Sequence, residues 1–375
     1  MPGLAGKTGG LPGRRRAFGA GPRQEADAGM SEVRGFGFNP GALRMLAYVP
    51  VDLPQGAPLV VVLHGCTQRA GAFARGAGWL TLADRLGFAL LAPEQERTNN
   101  PNGCFNWFEP ADTQRGMGEA ASIHAMVQHI VEAHGLDAGR LFITGLSAGG
   151  AMAAVMLATY PETFAAGAVV AGLPFGVANN VQEALGAMGR GATLGGRELG
   201  ELVAAAAPPS GRPPRLAVWH GLNDRTVGSR NADALARQWA AVHRLSDEPD
   251  EVVSRGIWTR AIWRDAGGSV AVERNLLAGL GHGTPLAAAG DDPIGQVAPF
   301  LLEAGVSSSL EIARFWGLAP DATAKYGSTA GSSAPESHPT RVSLGESVMR
   351  AVSPHVSADV EAVIAAALGR AGLID

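Results

Sequence analysis

The segment Gly145-Leu146-Ser147-Ala148-Gly149-Gly150 sets a serine between glycines two positions to either side. It follows a short apolar run of strand character at 141–144 (LFIT) and opens a small-residue run of helical character at 148–159. Strand, G-x-S-x-G, helix is the signature of a nucleophile elbow, a turn so tight that side chains flanking the serine at that spacing would collide. Such a turn lifts the hydroxyl to the end of a sheet. It also aims the amide N–H of Ala148, at the start of the helix, toward a developing oxyanion. The chemistry implied is nucleophilic acyl transfer.

A serine hydroxyl is a weak nucleophile and needs a base, which in turn needs an orienting acid. When the serine sits on such an elbow, acid and base follow in the order serine, acid, histidine, on loops after later strands. Asp224, in His220-Gly221-Leu222-Asn223-Asp224, lies just past the apolar run LAVWH at 216–220 and is the candidate acid. Asp233, inside a helical run, and Asp265, in a turn before Gly267-Gly268, are weaker rivals. His282, in GLGHGTP, follows the last strand-like run and is the candidate base. His124, His129, His134 and His243 fall on helical runs, His64 and His220 precede the acid, and His338 and His355 lie in the tail.

The second oxyanion donor is expected on the turn after the run LVVVL at 59–63, where His64-Gly65-Cys66-Thr67-Gln68 stands. The backbone N–H of Cys66 is assigned to it, with that of Thr67 as the alternative. One such donor is typically worth about 3–4 kcal/mol of barrier. Cys66 and Cys104 are the only cysteines. They are too few for a disulfide-built scaffold or a cysteine zinc site, and either form one bridge or stay free. A catalytic thiol at Cys66 is a weaker rival of Ser147. Phe105, Trp107 and Phe108 cluster in an otherwise polar stretch. Trp107 and Phe105, with His64, are the candidate substrate-binding side chains; packing of the loop onto the core is an equally good reading of the aromatics. Glu109, Asp112, Arg115 and Glu119 are read as an ion-pair network holding that loop. No histidine joins them at ligand spacing, so no metal site and no cofactor are expected.

The elements that position these residues alternate. Strand character appears at 43–49, 59–63, 88–91, 141–144, 165–171, 216–220, 257–264 and 270–277. Helical character appears at 76–86, 119–134, 148–159, 231–243, near 295–304 and at 312–316. The runs at 59–63 and 165–171 are continuously apolar, as in strands buried on both faces. The alternation predicts an α/β fold, a mostly parallel central sheet with helices on both faces. The polar stretch from 93 to about 118 is long for a compact domain, and such loops often carry function. Residues 172–214, rich in Gly, Ala and Pro, are expected to be a lid or insertion. Residues 1–34 are expected to be a disordered leader, 35–318 the catalytic domain, and 319–375 a low-complexity linker with a short helix at 357–368.

The chain has 375 residues, enough for one large α/β domain with extensions. Its formal net charge of −4 and pI of about 6.2 argue against a nucleic-acid binder, which needs a basic face. No apolar run reaches membrane-helix length. The arginines near the N-terminus lack an apolar stretch behind them, so no signal peptide is evident. Met30 is a second candidate for the true start.

These motifs resemble a known family, the poly(3-hydroxybutyrate) depolymerase esterases, which also holds feruloyl and acetylxylan esterases and has the α/β-hydrolase fold. The resemblance rests on LVVVLHGCTQ at 59–68, GFALLAPEQERTNNPNGCFNWF at 87–108 and ITGLSAGGAMAAVMLATYPETFAAGAVVAGLPFG at 143–176. It continues in VWHGLNDRTV at 218–227, GLGHGTPL at 279–286 and SLEIARFWGL at 309–318. It implies Ser147 as nucleophile, Asp224 as acid and His282 as base, the residues reached above. It further implies a secreted enzyme acting on polyesters such as polyhydroxyalkanoate or on acylated plant polysaccharide. The lack of an evident signal peptide leaves a cytoplasmic location open. The expected reaction is ester hydrolysis through an acyl-enzyme. An acyltransferase with the same three residues and a silent binding protein on the same fold are the competing readings.

Overall fold

A computed structural model describes residues 29–206, 213–289 and 292–320. The expectations for residues 1–28 and for the tail beyond 320, including the C-terminal helix, lie outside the described residues.

Among the described residues the chain runs β1 (Ser31–Val33), β2 (Arg44–Tyr48), β3 (Leu59–Leu63), α1 (Ala70–Gly76), α2 (Trp79–Leu86), β4 (Ala89–Glu94), α3 (Pro110–Thr113) and α4 (Gly118–His134). It continues through β5 (Leu141–Leu146), α5 (Ala148–Thr159), β6 (Ala166–Val170), α6 (Val181–Arg190), α7 (Gly196–Ala206), β7 (Arg215–Gly221) and α8 (Arg230–Val242). It closes with β8 (Glu251–Arg255), β9 (Trp258–Arg264), β10 (Val270–Leu277), β11 (Thr284–Leu286), β12 (Leu301–Glu303) and α9 (Ser308–Phe315). Ten strands form one sheet in the order β1-β2-β4-β3-β5-β6-β7-β10-β9-β8. From β4 through β3, β5, β6 and β7 to β10 every pairing is parallel, and both edges are antiparallel. This is the mostly parallel sheet that the alternation predicts, in the α/β-hydrolase arrangement that the resemblance implies.

The central strands explain themselves. β3, β5 and β6 are buried at every position, and side chains alternate between two faces. Val61, Leu63 and Ile143 point into one core with Ile123, Met152 and Trp239. Val60, Val62 and Phe142 point into the other with Phe73, Trp79 and Trp316. Helix α5 is buried along its whole length, which is why its sequence is nearly free of polar residues.

Four expectations need correction. The leader ends before residue 34, because Ser31–Val33 pairs with Met45–Ala47 as an edge strand. The helix expected at 76–86 starts only at Trp79, after Gly78, whose φ of +85° the helix cannot carry, and a separate helix, Ala70–Gly76, precedes it. The helix near 295–304 is not there: Leu301–Glu303 is a strand parallel to Thr284–Leu286, and Gly295, Pro299 and a positive φ at Phe300 interrupt any helical run. The strand β8 lay unmarked, since its exposed residues have no apolar alternation. Residues 172–206 hold the helices α6 and α7, pinned to α8 by buried side chains. Gln238 Nε2 donates to the carbonyls of Phe175 and Leu199, and Asn231 Nδ2 to that of Ala187.

Helix α9 is capped at its C-terminus by Trp316, whose ring stacks on Phe142 at 5.1 Å and on Trp79 at 5.7 Å. Trp316→Ala should cost about 3–5 kcal/mol, the range for truncating a buried tryptophan. Equilibrium urea unfolding of the variant beside the parent measures it.

Candidate active site

Ser147 sits between the last residue of β5 and the first of α5 with φ 57° and ψ −119°, outside the favoured regions for a side-chain-bearing residue. The strain is held by close packing that only glycine permits. A Cβ on Gly145 would lie 2.3 Å from the Gly149 carbonyl oxygen. One on Gly149 would lie 2.3 Å from the oxygen of Leu63 and 2.5 Å from that of His64. The elbow is thereby pressed onto the end of β3, where the expected oxyanion turn begins.

His282 arrives on the turn between β10 and β11, and Asp224 on the turn after β7. His282 Nδ1–H donates to Asp224 Oδ2 at 2.6 Å, and Ser147 Oγ lies 3.0 Å from His282 Nε2. Ser147 and Asp224, 135 and 58 residues from His282 in sequence, thus form one hydrogen-bonded chain with it. With Nδ1 carrying the proton, Nε2 is the acceptor for the serine hydroxyl. The Asp224 carboxylate is fully committed: Oδ1 accepts the N–H groups of Thr226 and Val227, each at 2.8 Å. Burial alone would raise its pKa, but the hydrogen bonds from His220 and His282 overcome that and hold it well below the usual carboxylate range. The rivals are occupied elsewhere. Asp233 pairs with Arg274, and Asp265 accepts the N–H groups of its own turn.

Sequence reasoning passed over His220. Its Nε2–H donates to the Val227 carbonyl at 2.8 Å and lies 3.3 Å from Asp224 Oδ2, so it clamps the turn that carries Asp224. Its place at the end of β7, four residues before Asp224, was the available signal.

On the turn after β3, the Thr67 N–H donates to the Asn102 carbonyl at 2.8 Å and the Gly65 N–H to Gln68 Oε1 at 2.9 Å. Both are spent inside the protein, which favours Cys66 over Thr67 for the donor role. Cys66 is bridged to Cys104, so the thiol alternative falls away.

Two of the three candidate substrate-binding residues prove to be framework. The His64 ring is fully buried, accepting the Gln95 N–H at Nε2 (3.1 Å) and donating from Nδ1 to the Gly65 carbonyl (2.8 Å). Burial lowers its pKa, which keeps it neutral in that role. Phe105 has no exposed surface and packs on the His64 ring at 5.0 Å. Trp107 is 8% exposed and meets Phe108 edge-on at 5.3 Å. The packing reading of this cluster holds, because the loop follows the core closely enough to bury its apolar side chains.

The loop's charged residues do not form the expected ion-pair network. Arg115 pairs with Glu162 and donates to the Thr159 carbonyl. Glu119 is buried, with Oε2 accepting the Asn106 N–H at 2.9 Å and Oε1 a hydrogen bond from Gln95 Nε2. Gln95 Nε2 also reaches the Cys104 carbonyl at 3.1 Å. Among the described residues no group of His, Cys, Asp and Glu is placed to hold a metal ion.

With this geometry in view, the comparisons with known proteins are specific. A family described as Esterase PHB depolymerase matches residues 45–254. The chain is 38% identical over 291 residues to poly(3-hydroxyalkanoate) depolymerase C of Paucimonas lemoignei, covering 77% of this chain and 70% of that one. It is 33% identical over 247 residues to feruloyl esterase B of Thermothelomyces thermophilus, covering 64% and 84%. In three dimensions it resembles an acetyl xylan esterase from Aspergillus awamori with a TM-score of 0.66 at 24% identity, over 77% of this chain and 99% of that one.

Burial, and next to it the Asp112 carboxylate, push the Glu119 pKa up to about 8. The folded state therefore holds a proton on this group that the unfolded chain releases at ordinary carboxylate pH. Stability is expected to fall as pH rises from that range to about 8, then to level off. Glu119→Gln should flatten this slope, as thermal melts across the pH series would reveal.

Proposed function

The chain belongs to the PHB depolymerase esterase family and is a carboxylic ester hydrolase; from that premise we propose that Ser147 is its nucleophile, His282 its general base and Asp224 the acid that orients the base. The observation that carries this reading is the continuous hydrogen-bonded chain from Ser147 Oγ through His282 to Asp224. His282 Nε2 takes the hydroxyl proton as Oγ attacks the ester carbonyl carbon. The carbonyl oxygen becomes an oxyanion, held by the backbone N–H groups of Cys66 and Ala148. Collapse breaks the bond to the alcohol oxygen, which leaves with the proton from His282. A water molecule, deprotonated by His282, then attacks the acyl-enzyme and frees the acid and Ser147.

The preferred substrate class is polyhydroxyalkanoate, as polymer or oligomers of 3-hydroxyacids. The relative at 38% identity carries that name, and the one at 33% carries the name of a feruloyl esterase. An extracellular or periplasmic location accords with the Cys66–Cys104 bridge, since such bridges persist in oxidising compartments.

The test is hydrolysis of soluble 3-hydroxybutyrate oligomers beside methyl ferulate and short p-nitrophenyl esters. Activity should be highest on the oligomers. Ser147→Ala should abolish both turnover and labelling by a fluorophosphonate probe, and Asp224→Asn should lower kcat by about 10⁴-fold. A folded protein that labels at no serine would overturn the assignment, and a clear preference for methyl ferulate would move the substrate to the feruloyl class.

The bridge closes a loop spanning a sequence separation of 38 residues. On the chain-entropy account, replacing both cysteines by alanine should cost about 4 kcal/mol of stability. The Cys66 amide should also lose its fixed position, so kcat should fall while KM changes little. Steady-state kinetics below the lowered melting temperature separate the two effects.

A further inference from the structure

Beside His282, the chain makes a tight turn at Ala298-Pro299-Phe300-Leu301, closed by hydrogen bonds in both directions between Ala298 and Leu301. Proline at the second position and a positive φ, 65°, at the third are the pattern of a type II turn, whose third position is ordinarily glycine or asparagine. Here it is phenylalanine. A bulky residue at positive φ is an outlier that persists only where its surroundings enforce it. They do so here. The Phe300 carbonyl accepts the Thr284 N–H at 2.8 Å, and Gly283 approaches so closely that a Cβ there would lie 2.7 Å from that oxygen. Gln68, whose Oε1 holds the Gly65 amide, donates from Nε2 to the Pro299 carbonyl at 3.4 Å.

The side chain this turn presents is not needed by the core. Phe300 remains 39% exposed, yet its ring meets the His282 ring edge to face, 6.0 Å between centroids at 75°. Folding alone would be better served by glycine. An aromatic ring held at a backbone cost, beside the base and open to solvent, is placed for a ligand.

Which part of the ester it meets follows from the reaction. His282 Nε2 must deliver a proton to the departing alcohol oxygen, so that oxygen lies on the histidine side of Ser147 at the moment the bond breaks. Whatever the alcohol oxygen carries then extends along the imidazole toward its neighbours. On the reading of Ser147, His282 and Asp224 given above, we propose that Phe300 is a specificity-determining residue that receives the alcohol half of the ester and selects for apolar alcohols. In a 3-hydroxyalkanoate chain that half bears an alkyl branch on the carbon attached to the ester oxygen, the kind of group an exposed aromatic face accommodates.

The experiment varies the alcohol at constant acyl group, with methyl, sec-butyl and benzyl acetates, and then the acyl group at constant alcohol, with methyl acetate to methyl hexanoate. Phe300→Gly suits the turn, and Phe300→Asn tolerates the same φ with less backbone freedom. In both variants the kcat/KM ratio of sec-butyl or benzyl acetate to methyl acetate should fall about tenfold or more, as expected for losing one apolar pocket contact. The ratios along the acyl series should stay at the parent's values. An equal loss on every alcohol would overturn the proposal and make Phe300 a support for His282. A change that tracks the acyl chain, or no change, would also overturn it. Parent activity that vanishes in Ser147→Ala keeps the underlying assignment standing in each of these cases. A parent inactive on every ester would sink both.

Discussion

The arrangement depends on the contact between Gly149 and the end of β3. The helix α5 can start where it does only because no Cβ intervenes between Gly149 and the carbonyl oxygens of Leu63 and His64. That approach holds Ser147 in a conformation it would not otherwise keep. It also fixes the distance from the serine to the turn that follows β3. The proposed nucleophile and the proposed oxyanion donor at Cys66 are therefore set by one packing contact, though 81 residues separate them. Helix N-terminus and strand end are both buried, so the register cannot slip without exposing either the core of β3 or that of α5.

Around this contact the polar loop between β4 and α4 is bound by hydrogen bonds rather than by ion pairs. Thr67 to Asn102, Gln95 to Cys104, His64 to the Gln95 backbone and Glu119 to Asn106 link the turn after β3 to the loop at successive points. The Cys66–Cys104 bridge adds a covalent tie in the same place. Buried polar groups are costly unless paired, so a network of this kind allows few alternative arrangements. The result is a rigid wall beside Ser147, built from side chains that contribute no reacting group of their own.

Asp224 is held with comparable thoroughness. Two amides and His282 bind its carboxylate, and His220 lies within reach, which keeps it ionised despite burial. In the proposed mechanism, an ionised, oriented Asp224 fixes the tautomer of His282 and leaves Nε2 free to accept the serine proton. Its ion-pair partner is not a permanent cation, so on that proposal the charge is available to stabilise the imidazolium formed during acyl transfer.

The fold and the three residues of the hydrogen-bonded chain were legible in the sequence because they depend on local patterns. Continuous apolar runs at 59–63 and 165–171 mark strands buried on both faces, and the glycines around Ser147 mark a turn with no room for side chains. The order of Ser147, Asp224 and His282 follows from which strands they terminate. The sequence left open what depends on where distant loops settle. Phe105 and His64 read as site residues from their neighbours, yet both are interior, because burial is decided by the surface a loop meets and not by its own polarity. The strand at Leu301–Glu303 exists only through its partner at Thr284–Leu286, and three residues carry no pattern strong enough to announce it. Whether Cys66 joined Cys104, and that a phenylalanine would stand in a glycine's conformation against His282, were decided by tertiary contacts. Residues 38 and 18 positions apart meet only when the sheet brings their loops to one end, and that proximity is a property of the packed chain.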